Sequence, residues 1–126
     1  MQVFKTRWFA RFARNEGIAD TRLREAIARA ERGLIDADLG GGLIKQRVAR
    51  PGQGRSGGYR VLVAYRSKIR SVFLFGFAKN ERENISTDEL VFLSELAKNW
   101  LAADAMTLQR EIEAGNLQEV EYGEET

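Results

Sequence analysis

Lys45 and Arg47 stand two apart in Leu43-Ile44-Lys45-Gln46-Arg47, Arg60 follows in Tyr59-Arg60-Val61, and Lys79 and Arg82 follow in Ala78-Lys79-Asn80-Glu81-Arg82. In an extended strand residues i and i+2 share a face, so Lys45 and Arg47 point one way while Ile44, Gln46 and Val48 point the other. Arg60 begins the next strand-like segment and Lys79 and Arg82 close a third, which gathers these cations at one end of one sheet face. Like charges held together cost free energy unless an anion sits among them, and phosphate is the obvious candidate. Arg50, at the end of the first strand, and Arg55, in the loop after it, extend the charge toward a polyanion. The chain has no histidine and no cysteine. That removes the usual general base, the usual zinc ligand, every Ser-His or Cys-His nucleophile, disulfides and thiolate metal sites. Catalysis, if any, must use Lys, Arg, Tyr, Ser, Asp or Glu, and neither a metal site nor a cofactor is expected.

The stretch that must position these groups runs from Leu43 to Arg82. It alternates basic side chains with Ile44, Val48, Val61, Val63, Val72, Leu74, Phe73, Phe75 and Phe77, so a sheet with one apolar and one cationic face is expected. Strands are expected over Leu43–Arg50, Tyr59–Arg66 and Arg70–Ala78, and their short connections imply antiparallel pairing. Tyr59 and Tyr65 fall on the Val61 and Val63 side, core-facing, as are the three phenylalanines. Pro51–Gly58 is expected to be a long flexible hairpin loop carrying Arg55. Its Gly52-Gln53-Gly54-Arg55-Ser56-Gly57 matches G-x-G-x-x-G by letter only: a dinucleotide site needs a strand before, a helix after and an acid about twenty residues on, and position 77 is Phe. Glu81, the single acid of the stretch, is expected to steady Arg82 or Lys79.

Before this platform, Gln2–Lys5 reads as a strand. Thr6 caps a helix over Arg7–Asn15, with Trp8, Phe9, Phe12 and Ala13 on one side and Gly17 as its stop. Asp20 caps a second helix, with Leu23, Ile27, Ala30 and Leu34 as its buried stripe and Arg22, Arg24, Arg29 and Arg32 on the polar remainder. After the platform, Ser86-Thr87-Asp88-Glu89 is a capping box. It opens a helix to about Leu101 with Leu90, Leu93, Ala97 and Trp100 facing inward. A last helix over Ala105–Glu113 is stopped by Gly115, before an edge strand or loose tail at Leu117–Tyr122.

The net charge of +2 hides a segregation. Residues 1–42 carry eight basic and six acidic groups, 43–82 carry ten and one, and 83–126 carry two and eleven. An acidic final third argues against a plain nucleic-acid binder, whose charge would be basic throughout. No apolar run reaches the length of a membrane span and no signal-peptide core is present. The expectation is one cytoplasmic domain, 1–126, of the α+β class: a small, mostly antiparallel sheet with two N-terminal helices and a C-terminal helix packed on it. Residues 102–126 form an acidic extension, dispensable for chemistry but helping to hold the core or a partner.

The strand Leu43–Arg47, the segment Gly57-Gly58-Tyr59-Arg60-Val61, and Phe75-Gly76-Phe77-Ala78-Lys79-Asn80-Glu81-Arg82 before a helix, in this order and spacing, resemble the RelE/HigB-like toxins of bacterial type II toxin-antitoxin systems. The similarity spans residues 2 to about 101. It implies a metal-free endonuclease that cuts mRNA on the ribosome, and a cognate antitoxin, with a helix-turn-helix DNA-binding part, as partner. Lys45 and Arg47 fall on the basic pair of the family's active strand, Arg60 on the arginine of G-Y-R, and Lys79 and Arg82 in the basic segment after the last strand. The catalytic tyrosine found in some members has no counterpart, since the nearest position is Ser86, a helix cap. Other members of the fold poison DNA gyrase without cleaving anything, so a non-catalytic toxin, or a plain nucleic-acid-binding module, stands as the alternative.

Overall fold

A computed structural model of the chain describes residues 1–50 and 54–121, with side chains described for all of these but 54–56. The described elements run β1 (Gln2–Thr6), α1 (Arg7–Glu16), α2 (Asp20–Glu31), β2 (Ala37–Asp38), β3 (Leu43–Arg50), β4 (Gly54–Arg66), β5 (Arg70–Ala78), α3 (Thr87–Ala102), α4 (Ala105–Glu113) and β6 (Leu117–Glu119). The strands form one sheet in the order β2-β3-β4-β5-β1-β6. β3, β4 and β5 are antiparallel neighbours, as the short connections require. β1 returns beside β5 in parallel, and the short β6 adds antiparallel to its outer edge.

Both faces of the sheet are covered. On one, α1 and α2 enclose Phe9, Leu23, Ile27, Ile44, Val48, Tyr59, Val61, Val63 and Phe73. On the other, α3 and α4 close over Leu43, Leu62, Ala64, Val72, Leu74 and Leu117 through Leu93, Ala97, Leu101 and Leu108. The expected plain cationic face is therefore corrected: apolar residues beneath α3 occupy most of it, and the cations keep only the end that α3 leaves open.

Local chemistry sets most of the boundaries. The Thr6 side chain accepts from the Phe9 amide at 3.2 Å and Gly17 ends α1 in the left-handed region at φ 71°. Ser86 and Glu89 form the reciprocal capping box of α3, and Asp104 caps α4 by accepting from the Thr107 amide. Asp20, in contrast, is not a cap. It is the first residue of α2, behind Ala19, and its carboxylate takes Lys5 Nζ at 2.7 Å and the Glu121 amide at 2.9 Å. Leu34 lies beyond the end of α2 and is exposed, so it leaves the expected stripe, while Arg29 is buried.

Two irregularities re-aim the platform. In β5 the register passes from Val63↔Phe73 to Leu62↔Phe75, leaving Leu74 as the extra residue of a bulge. A bulge reverses the alternation of side chains beyond it. Phe73 therefore packs under α1, while Phe75 and Phe77, across from Leu62 and Arg60, join the other face. Gly76 then points at α1, where a Cβ would meet the Phe12 ring at 2.6 Å. In β3 the register slips between Val48 and Arg50, and β4 begins at Gly54, so Gly54–Gly58 are strand residues and not the flexible loop expected. Gly58 is required there because a Cβ would run into the Val48 carbonyl. The rest of that expected loop, Pro51–Gln53, lies outside the described residues, as does the side chain of Arg55.

Candidate active site

The cross-strand register builds two rows on the α3 face of the sheet, toward the end that α3 leaves open. Arg47 lies directly opposite Arg60, which lies opposite Phe77, and one step along Lys45 lies opposite Leu62, which lies opposite Phe75. Two arginines facing each other across a strand pair repel, and the Asp36 carboxylate, 3.6 Å from Arg47 Nε, offsets part of that repulsion. Arg60 is the deeper, only 8% exposed, whereas the Arg47 side chain is 49% exposed. Burial, then the nearby Arg47 charge, lowers the Arg60 guanidinium's pKa from its ordinary value, with Asp36 opposing. That direction marks a cation held where its charge is disfavoured.

Arg82 completes the rim. Its guanidinium lies 5.2 Å from the centre of the Phe77 ring and 6.0 Å from that of Phe75, within cation–π range. It donates to both carboxylate oxygens of Glu89 and, through Nε and Nη2, to the Asn84 carbonyl at 3.0 and 2.8 Å. The Asn84 side-chain oxygen accepts from Lys45 Nζ at 3.3 Å and from the Ile85 amide. One residue, Asn84, thus ties Arg82 to Lys45. Glu89 also accepts from the Ser86 amide at 2.7 Å, so the carboxylate that completes the capping box of α3 also holds Arg82. The Arg82 guanidinium, with the Ser86 amide behind it, brings the Glu89 carboxyl down to about 2.

Beneath the rows, Arg29 of α2 donates to the Arg47 carbonyl, and Gln46, fully buried, donates to the Ala26 and Leu34 carbonyls. The Gln46 oxygen takes the Asp36 amide at 2.9 Å, which sets Asp36 3.6 Å from Arg47 Nε. Sequence reading missed Arg29, Asp36, Asn84 and Glu89 as partners of the cluster. The i+3 capping pattern did mark Glu89, but nothing local says that a cap can also reach an arginine.

The other expected cations are placed elsewhere or held otherwise. Lys79 pairs with Glu83 at 3.3 Å and Arg82 with Glu89, so Glu81 is not the partner that was expected. Arg50 sits 5.4 Å from the Tyr59 ring centre and 4.0 Å from Glu16, on the α1 side. Arg70 donates to the Trp100, Leu101 and Ala103 carbonyls, and Arg66 to that of Leu101; both satisfy the open C-terminus of α3. Tyr59 is core-facing as expected. Burial, with the Glu16 carboxylate as hydrogen-bond partner, pushes its hydroxyl pKa up, which fits a structural group.

The chain is, as a class, a small α+β protein: a mostly antiparallel six-stranded sheet, with Arg47 and Arg60 opposed on its central strands, packed between two N-terminal and two C-terminal helices. Residues 1–120 match the RelE family, described as the RelE toxin of the RelE/RelB toxin-antitoxin system. The chain belongs to the RelE toxin family, and is a toxin whose family implies an antitoxin partner. No curated protein matches it. Among the described residues no helix is long and apolar enough to cross a membrane.

Proposed function

We propose that this toxin is an mRNA endonuclease of the cytoplasm that acts on the ribosome, needs no metal, and is held inactive by a cognate antitoxin with a helix-turn-helix part. The observation that carries the reading is the direct opposition of Arg47 and Arg60, with Arg82 and Lys45 around them. Four cations around one small area suit a scissile phosphate. RNA brings its own nucleophile: the 2′-hydroxyl attacks the adjacent phosphorus, the bond to the 5′-oxygen breaks, and a cyclic phosphate and a 5′-hydroxyl result. The protein has only to align these groups, stabilise charge growing on the phosphoryl oxygens and move two protons.

In this scheme Arg47 and Arg60 hold the non-bridging oxygens, and Arg82 reaches the same phosphate or the next one. Lys45 is the member of the cluster suited to proton transfer, because a guanidinium stays charged. Lys79, beyond the end of β5, adds to the field that draws in the strand. The test is primer extension on mRNA from a purified translation reaction with and without the protein. New 5′ ends inside codons support the reading. Growth arrest with intact mRNA and inhibited gyrase would replace it with a non-catalytic toxin.

A further inference from the structure

Beside the cation cluster lies an apolar cleft of about 460 Å³, lined by Trp8, Leu74, Phe75, Phe92, Leu96 and Trp100 among others, with Glu89 at its border. Its origin is topological. The pairing of β1 with β5 ends at Lys5 and Phe73, where the chain turns into α1. The first turn of α1 then lays Trp8 on Phe75, ring centroids 4.6 Å apart and 29° from parallel, and α3 supplies the opposite wall. Two of the wall rings face water: Trp8 is 48% and Phe92 65% exposed. Phe75 belongs to both regions, stacked under Trp8 on one side and 6.0 Å from the Arg82 guanidinium on the other.

We infer that this cleft is a nucleobase subsite, taking the base of the nucleotide next to the phosphate held by Arg60 and Arg82. The inference rests on the phosphate reading of the cluster. Aromatic rings continuous with a cationic row are the arrangement single-stranded nucleic acid uses, its backbone following the charges while bases stack on rings. Adjacent strands lie about 4.8 Å apart, so the far side of β5 is two strand spacings from Arg60, roughly the reach of one nucleotide. The lining is mostly rings and aliphatic carbons, and its polar side chains are already engaged: Glu89 by Arg82 and the Ser86 amide, Arg7 by the Ala114 and Gly115 carbonyls, Thr6 by the Phe9 amide and Asn116 by Glu111. The subsite therefore takes bases by their faces and not by their edges, and discriminates weakly among the four.

The chain has two tryptophans, Trp8 and Trp100, and both line the cleft, so intrinsic fluorescence reports its occupancy directly. The full chain is titrated at low ionic strength with a 2′-O-methylated triadenylate, which cannot be cleaved, and with the same backbone lacking its bases. The triadenylate should quench tryptophan emission and the abasic strand should bind without quenching. Phe92→Ala, at an exposed position, should weaken triadenylate binding by about 5- to 150-fold, the range for one lost base–ring stack, and leave the abasic strand unaffected. Triadenylate that binds without quenching, or equal affinities for both strands, overturns the subsite while leaving the phosphate cluster standing. Quenching that survives Arg60→Ala sinks the phosphate reading instead. A cleft that serves only to seat a protein segment would leave emission unchanged with either strand, which also overturns the subsite.

Discussion

Glu89 joins two jobs in one carboxylate, and Glu89→Gln separates them. A glutamine at the third helical position can still accept from the Ser86 amide, so the capping box survives. What disappears is the charged pair with Arg82. The Glu89 carboxyl, ordinarily near 4.5, lies at about 2 in the folded chain, with Arg82 as the leading cause. A shift of that size sets a ceiling of about 3 kcal/mol. The Glu89 side chain is 32% exposed, and solvent screening brings the expected loss to about 1 kcal/mol at neutral pH. Because the folded pKa is depressed, this stability is fully present above the unfolded value near 4.5 and is lost as pH falls through about 2. Urea unfolding of parent and Glu89→Gln should show a constant gap from pH 8 to 5 that closes between pH 4.5 and 2. A gap that stays constant down to pH 2.5, or none at pH 7, would refute the assignment of Arg82 as the cause of the shift.

Gly76→Ala should destabilise by about 1–3 kcal/mol, the usual range for overpacking, because its Cβ meets the Phe12 ring; a chemical melt checks it, and Phe12→Leu in the same chain should recover part of the loss. Truncation after Ala102 removes the buried Leu108, Leu117 and Val120 together with β6. At about 1.5–3 kcal/mol for each large apolar side chain, the expected loss is about 5 kcal/mol, read as a large drop in melting temperature. A truncate that melts with the parent would contradict the role given to this segment in holding the core.

The strand Leu43–Arg50 and the box at Ser86 and Glu89 were readable because their signals are local: a period of two, and a hydroxyl three residues before an acid. The sheet's outer half was not, since the parallel pairing of β1 with β5 joins segments some seventy residues apart and leaves no local pattern. The bulge at Leu74 explains how the three phenylalanines, core residues as expected, divide between the two faces, for a uniform alternation cannot place Phe73 on one and Phe75 and Phe77 on the other. The slip between Val48 and Arg50 likewise set Arg50 against Glu16 and Tyr59. Of the cluster itself, the basic residues stood out by type and spacing. Their partners Asp36, Asn84, Glu89 and Arg29 come from segments whose own local roles, as turn, cap or helix face, mask the contact. Arg60 stands among the cations gathered at one end of a sheet face, yet its place between Arg47 and Phe77 in the central strands buries it.

The central claim is that Arg60 meets a phosphate as its charge grows. The most direct measurement is the rate of mRNA cleavage by Arg60→Ala in a purified translation reaction, followed by primer extension, on protein shown by melting to be folded. Loss of one preorganised donor predicts a fall of about 10²–10³ in rate, with Arg60→Lys recovering little because an ammonium cannot make the paired contact. A folded Arg60→Ala variant that cleaves at the parent rate would contradict the account.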